Sequence, residues 1–290
     1  MFAQLAMTAE NTRMKRALLA AVSFAFLGVC LAPAGEPAPC PAKSEIGSFL
    51  FEPSYQWDCK LRGNPVAYVP QPGDVMLATD PNIFWMVTHD LAFAYEPHNS
   101  AIIFERSCGG LAMLEAGPND TLWVRNLDML PHLKEYQEKG PVWIRKRKTP
   151  LNADQSGALT AFAERQNGKR FALGRLGLQL TPIRARGPYR TEWLGKPRGD
   201  RRAYYCSELV LESLVAAGLL NPDTTRPGAT YPHDLFFDHS HNRYIAKNLP
   251  LACDWYPPAR WAPCALEGSV AAPIFTPLVT PDPTKKMPSP

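Results

Sequence analysis

The chain is poor in four features, and each lack narrows what it can be. It has no apolar run of spanning length: Ala17 to Ala32 is short and closes on Pro33 and Gly35 rather than a basic stop-transfer flank. It has no strong charge excess, since 31 Lys and Arg against 27 Asp and Glu leave a net +4. That field is too weak to argue for a nucleic-acid partner, and no interleaving of basic and aromatic residues supports one. It has no internal repeat, which excludes solenoid architectures. It also has no zinc-like ligand spacing. His233, Asp238, His239 and His241 fall close together but match no metal pattern, and Pro232-His233-Asp234-Leu235 reads as a turn. Neither metal nor cofactor is expected.

What is present begins with a processing signal. Met14-Lys15-Arg16 precedes the apolar run, which ends in Ala32-Pro33-Ala34. A charged region, an apolar region and an Ala-x-Ala exit describe a secretory signal peptide over residues 1–34, with Met14 as a second candidate start. Leu27-Gly28-Val29-Cys30 resembles a lipobox, but Val29 is larger than the residue usual before a lipidated cysteine, so cleavage is preferred to an anchor at Cys30. The expected location is exported, periplasmic or secreted.

Export implies an oxidising compartment and changes how cysteines are read. Cys40 with Cys59 and Cys253 with Cys264 are sequence-local pairs and are the expected disulfides, although spacing alone does not fix connectivity. Cys108, in the turn Arg106-Ser107-Cys108-Gly109-Gly110, and Cys206 are then left over.

The organisation expected is an irregular extension over 35–70, a compact section over 71–250, and a Pro-rich extension over 251–290. Within the compact section, Gly73-Asp74 opens a strand, and His98–Phe104 with Leu111–Glu115 form a hairpin through Gly109-Gly110. Val142–Arg145 is another strand, and Arg145-Lys146-Arg147-Lys148 reads as a solvated strand end. Asn152-Ala153-Asp154-Gln155 is a capping-box pattern opening a helix that stops at Asn167-Gly168. Cys206 to Leu220 is a second helix, stopped by Asn221-Pro222.

Cys206 carries the chemistry. A thiol in the first turn of a helix faces unpaired N–H groups and the positive end of the helix dipole, which favour thiolate and hence nucleophilic attack on a carbonyl. The competing reading is a core cysteine, a common fate for this residue. A nucleophilic thiolate needs a base and a group to orient it. His98 at the start of an apolar strand is the candidate base, with His89 in reserve. Glu115 on the partner strand is the candidate orienter, provided that an even-numbered hairpin loop puts both on one face; an odd loop or a bulge separates them. Tyr204, Tyr205 and Arg202, just before the helix, are candidate oxyanion or substrate contacts. The basic loop Thr181–Ala203, with Arg184, Arg186, Arg190, Lys196, Arg198 and Arg201, reads either as a clamp for an anionic substrate or as a solvated loop.

Pro72-Gly73-Asp74-Val75, His98-Asn99-Ser100-Ala101-Ile102-Ile103, Glu115-Ala116 and Cys206-Ser207-Glu208-Leu209-Val210 together resemble the permuted NlpC-type papain-like amidases, the YiiX/YaeF-like group. The resemblance covers about Gln71 to Leu235 and includes Arg145. Asn99-Ser100-Ala101 departs from the small-residue, Val/Gly-type run usual after the His, which bears on the shape of the substrate pocket. It implies an α+β, circularly permuted papain-like fold with a small antiparallel sheet packed on the nucleophile helix. It also implies a cofactor-free cysteine hydrolase that cleaves an amide through an acyl-enzyme on Cys206, with the Cys206 N–H in the oxyanion hole. A cell-wall stem peptide or a lipid-linked amide is the expected substrate. The alternatives are a lipid acyltransferase or thioesterase using the same groups, and a non-catalytic envelope binding module.

Overall fold

The computed structural model describes residues 48–52, 61, 64–79, 82–92, 94–187 and 190–263. The chain divides into two units, Met1–Pro39 and Cys40–Pro290, and every described residue belongs to the second. The expected signal peptide, the lipobox, Cys40, Cys59 and Cys264 lie outside the described residues. No described helix is long and apolar enough to cross a membrane.

The fold is mixed α+β around one large antiparallel sheet. Its strands are β1 (Ser48–Glu52), β2 (Asn64–Ala67), β3 (Val75–Ala78), β4 (Asn99–Glu105), β5 (Leu111–Ala116), β6 (Val124–Asp128), β7 (Val142–Arg145) and β10 (Ala259–Pro263), in the order β2-β1-β10-β7-β3-β4-β5-β6. Two short strands, β8 (Arg170–Phe171) and β9 (Ala203–Tyr204), pair in parallel apart from it. The helices are α1 (Ile83–Leu91), α2 (Met129–Lys139), α3 (Ala153–Gln166), α4 (Leu173–Gln179), α5 (Thr191–Leu194), α6 (Cys206–Ala216), α7 (Pro232–Phe237) and α8 (Arg243–Lys247).

The sheet is not small, and the two segments expected as extensions belong to it. The first supplies β1 and β2. The second supplies β10, which lies between β1 and β7. Their pairing is long-range, so the irregular, Pro-rich composition around them hid three strands.

Both faces of the central strands are covered, which explains why β3, β4, β5 and β7 are almost continuously buried instead of alternating. Val75, Leu77, Ile102, Phe104 and Leu114 face α3 and α6 through Phe162, Leu209, Val210 and Leu214. Met76, Ala101, Ile103, Met113 and Ile144 face α2 through Met129, Leu133 and Tyr136. Burying two such faces is the main source of stability for a sheet of this kind.

The expected caps are present. Asn152 accepts from the Gln155 backbone N–H at 2.8 Å, and Gln155 returns the bond to the Asn152 N–H at 3.2 Å. The Cys206 helix ends at Ala216, short of Leu220, because Gly218 takes a left-handed φ of 68° and breaks the helical path before Asn221-Pro222 is reached.

Asp74 joins three elements: its carboxylate accepts from the Tyr68 hydroxyl at 2.8 Å, the Gln71 N–H at 3.2 Å and the Arg147 N–H at 2.8 Å. Burial nonetheless pushes its pKa up to about 6.

Arg145 and Arg147 are buried, not a solvated strand end. Arg145 makes a forked pair with Asp238 (2.5 and 2.9 Å) and donates to the carbonyls of Leu235 (2.7 Å) and Tyr256 (3.1 Å). It thereby pins α7 and the C-terminal segment to the sheet, a use of guanidinium geometry that lysine does not match. Arg147 stacks on Trp255 with its guanidinium carbon 4.6 Å from the ring centre.

The cysteines also differ from expectation. Cys253 is a free, exposed thiol, whereas Cys108 is disulfide-bonded. Because Cys206 and Cys253 are the other cysteines described and both are free, the partner of Cys108 lies outside the described residues. The free Cys253 departs from the expected Cys253–Cys264 bridge, while the expected Cys40–Cys59 pair lies outside the described residues.

Candidate active site

Cys206 is the first residue of α6, which packs across β4 and β5. The approach to the helix is extended: Tyr205 has φ −103° and ψ 166°. The hydroxyls of the two tyrosines before the cysteine are committed elsewhere. Tyr204 donates to the Gly199 carbonyl at 2.8 Å and accepts from the Arg201 N–H at 2.7 Å, while Tyr205 donates to the Gly228 carbonyl at 2.5 Å. They hold the loop that leads into the helix and do not present an oxyanion donor. Arg202 has a backbone role, its carbonyl accepting from the Arg170 N–H at 3.5 Å.

The basic loop is anchored through acids on the cysteine helix. Glu208 and Glu212 are both buried. Glu208 pairs with Arg175 at 2.5 Å and Arg201 at 3.2 Å. Glu212 accepts from the N–H groups of Arg198 (2.8 Å) and Gly199 (2.9 Å) and lies 3.5 Å from Arg201. These contacts fix where the helix begins. Removing one partner of such a pair leaves a buried charge uncompensated, a loss of about 3–5 kcal/mol.

Cys206 opens on a narrow cleft of about 30 Å³, lined by His89, His98, Asn99, Ala116, Gly117, Thr121, Phe171 and the cysteine itself. The thiol donates to the His98 carbonyl oxygen at 3.6 Å. The rings of His89 and His98 stand 5.1 Å apart, tilted by 47°. The cysteine and both candidate bases therefore share one cleft. Gly117 is needed in its wall: φ is +81°, and a Cβ there would stand 3.0 Å from the Phe171 ring.

The thiol's electrostatics run against the expectation of a resting thiolate. Burial pushes Cys206 up to about 11, and the Glu115 charge adds to this. Hydrogen bonding from the Ser100 hydroxyl and from the N–H groups of Ser207 and Ser100 pulls it down, but less. The helix N-terminus acts in the expected direction and is outweighed by desolvation.

Glu115 does not share a face with His98. Glu105 pairs with Leu111, so the hairpin loop has the five residues Arg106–Gly110, and the register sets Glu115 opposite Ala101. An odd loop separates His98 and Glu115, the condition under which the orienter role fails. Glu115 turns toward α2 and is fully buried. Its Oε1 accepts from Asn99 Nδ2 at 2.5 Å and the Tyr136 hydroxyl at 2.6 Å, and its Oε2 lies 2.5 Å from His132 Nε2.

Two neighbours of His98 matter more than sequence reading gave them credit for. Asn99 links the cleft to the Glu115 cluster, and its Oδ1 accepts from the Ser100 N–H at 2.8 Å. Ser100 lies two residues beyond His98, hence on the same face, a relation that strand alternation makes readable. Phe171 comes from a distant segment and had no local signal. Of the cluster near the C-terminal end, His233 and Asp238 are used structurally: His233 Nδ1 lies 2.7 Å from the Glu96 carbonyl, and Asp238 is the partner of Arg145. Among the described residues no group of three or more His, Cys, Asp or Glu is placed to hold a metal ion.

No protein-family model matches the chain, and no curated protein matches it. Among solved structures it is similar to the metalloprotein YiiX from Escherichia coli O157:H7 (DUF1105), with 19% identity and a TM-score of 0.37 over 52% of this chain and 67% of that chain. This likeness assigns neither a family nor an activity to the chain.

Proposed function

We propose that the chain is an exported cysteine hydrolase of permuted papain-like type, acting on an amide bond through an acyl-enzyme. The observation that carries this reading is one cleft holding the first-turn thiol of α6 and two imidazoles, with the sulfur against the strand segment that bears His98. The element order, His strand before Cys helix, supports the permuted form.

In this mechanism His98 takes the thiol proton as sulfur bonds to the carbonyl carbon. The resulting oxyanion is met by N–H groups at the start of α6. The C–N bond then breaks, the proton passes from His98 to the departing amine, and water hydrolyses the thioester to acid and free thiol. At rest the sulfur is held as the neutral thiol. The small cleft admits about one water, so substrate entry requires its α1 wall to move. That movement would hydrate the sulfur and relieve the burial that raises it. Glu115 acts at one remove, by fixing Asn99.

A second reading, acyl transfer or thioester cleavage on lipids, is favoured by the outer side of α1. Ile83, Val87 and Leu91, spaced as one helical stripe, are 75%, 51% and 63% exposed on the helix that also carries His89 into the cleft.

The test is trapping with p-nitrophenyl acetate and mass mapping of the acylated peptide. Acetyl addition at Cys206, slowed roughly a hundredfold or more by His98→Ala, is the expected result. Acetylation elsewhere, or none, overturns the hydrolase reading. A steep rate increase from acetyl to long-chain esters selects the lipid reading over the amidase.

A further inference from the structure

A second cleft, of about 310 Å³, is lined by Ala92, Tyr95, Arg184, Arg186, His241 and Asn242. Among the described residues that line it none is acidic. We infer that this cleft binds an oxyanion, a carboxylate or phosphate group, borne by the molecule whose carbonyl meets Cys206; the inference rests on the hydrolase reading for that last clause.

Three observations lead there. The first is fixed positive charge. Arg186 is held in place by Asp234 at 2.9 Å, by the Ser240 hydroxyl at 2.7 Å and by stacking 4.2 Å over Tyr231. Arg184, half-exposed in the same lining, brings a second guanidinium to the cleft beside the Arg186–Asp234 pair. A preset guanidinium suits the flat oxygens of a carboxylate or phosphate.

The second is the imidazole group beside it. His241 stacks with His233 (centroids 6.2 Å apart), meets His239 edge-on at 5.8 Å and contacts Tyr95 at 6.0 Å. Imidazoles and a phenol at a basic cleft supply hydrogen-bond donors around an anion.

The third is connection to the thiol site. His89 and His98 line the cysteine cleft, while Ala92 and Tyr95, between them in sequence, line the second cleft. His89 and Ala92 are three positions apart, so the chain between them spans at most about 11 Å. The Ala94 N–H bonds the His89 carbonyl at 2.9 Å, and His233 Nδ1 meets the Glu96 carbonyl, which ties this shared wall to both clefts. A substrate that extends a few bonds from its scissile carbonyl can reach both. The basic loop is thus a clamp at Arg184 and Arg186, while Arg201 serves the cysteine helix.

The experiment titrates the full mature chain with inorganic phosphate, with N-acetylglycine, and with N-acetylglycinamide as the neutral control, following the His241 imidazole by NMR. Saturable shifts with at least one anion and none with the amide are expected, weakened about tenfold by Arg184→Gln. The arm that binds tighter tells a phosphate from a carboxylate. His241→Gln, read by calorimetry, is the second variant should Arg184→Gln lower the thermal midpoint. Cys206→Ala must leave anion binding unchanged. Anion binding indifferent to both Arg184 and His241, or no anion binding, overturns the inference. Loss of Cys206 acylation chemistry with anion binding intact overturns the hydrolase reading alone.

Discussion

The two faces of the sheet meet at His98 and Asn99, neighbours in sequence with opposite fates. On the α6 side lies a narrow cleft lined by a thiol and two imidazoles. On the α2 side Glu115, His132, Tyr136 and Asn99 form a buried set of short hydrogen bonds. Both are buried and both contain the residue types of catalysis. What separates them is access: a carboxylate buried with both oxygens taken by side chains cannot turn to a substrate, whereas a thiol that lines a cleft can.

The sharpest break of this comparison is kinetic. Cys206→Ala is expected to abolish ester turnover, a loss of about a thousandfold or more, while unfolding in urea moves by about 1 kcal/mol or less. Glu115→Ala should do the reverse, lowering unfolding free energy by about 3–5 kcal/mol as His132 and Asn99 lose their partner. The double variant with His132→Ala should cost less than the two single changes combined, because the partners share one network. A Glu115→Gln protein of normal stability but with acylation reduced as far as in His98→Ala would instead return Glu115 to the reaction.

The pH dependence tests the cleft side again, with a smaller effect. Cys206 titrates near 11 in the folded chain against an ordinary 9.0, so the folded state holds this proton more tightly than the unfolded state. Its contribution is fully present below pH 9 and is lost as pH rises toward 11, by about 3 kcal/mol at most. Cys206→Ala should flatten that alkaline slope in denaturation curves, and iodoacetamide should label the resting thiol progressively faster over the same range.

Much of the central fold was legible because its signals are local. Val142–Arg145 and the capping box at Asn152 were readable from a few residues each, and the Cys206 helix from its apolar spacing. The edge of the sheet was not, because Ser48–Glu52 has meaning only beside Ala259–Pro263. The site was legible in its members and misread in its geometry. Cys206, His98 and His89 do line one cleft, but the side on which Glu115 falls depends on a loop of five residues whose ends sequence does not mark. Arg145 reads as a surface charge until Asp238 is folded onto it.

The position of β10 has a consequence for how the chain is made. The β1–β2 ribbon touches the rest of the sheet through residues 259–263, so it must wait, unpaired on one edge, until the chain has been made as far as Pro263. Closing that gap joins segments roughly two hundred residues apart, a slow kind of contact to form. A protein cut just before Ala259 would therefore lose a keystone from within its sheet, and the exposed edges of β1 and β7 would invite pairing with other chains.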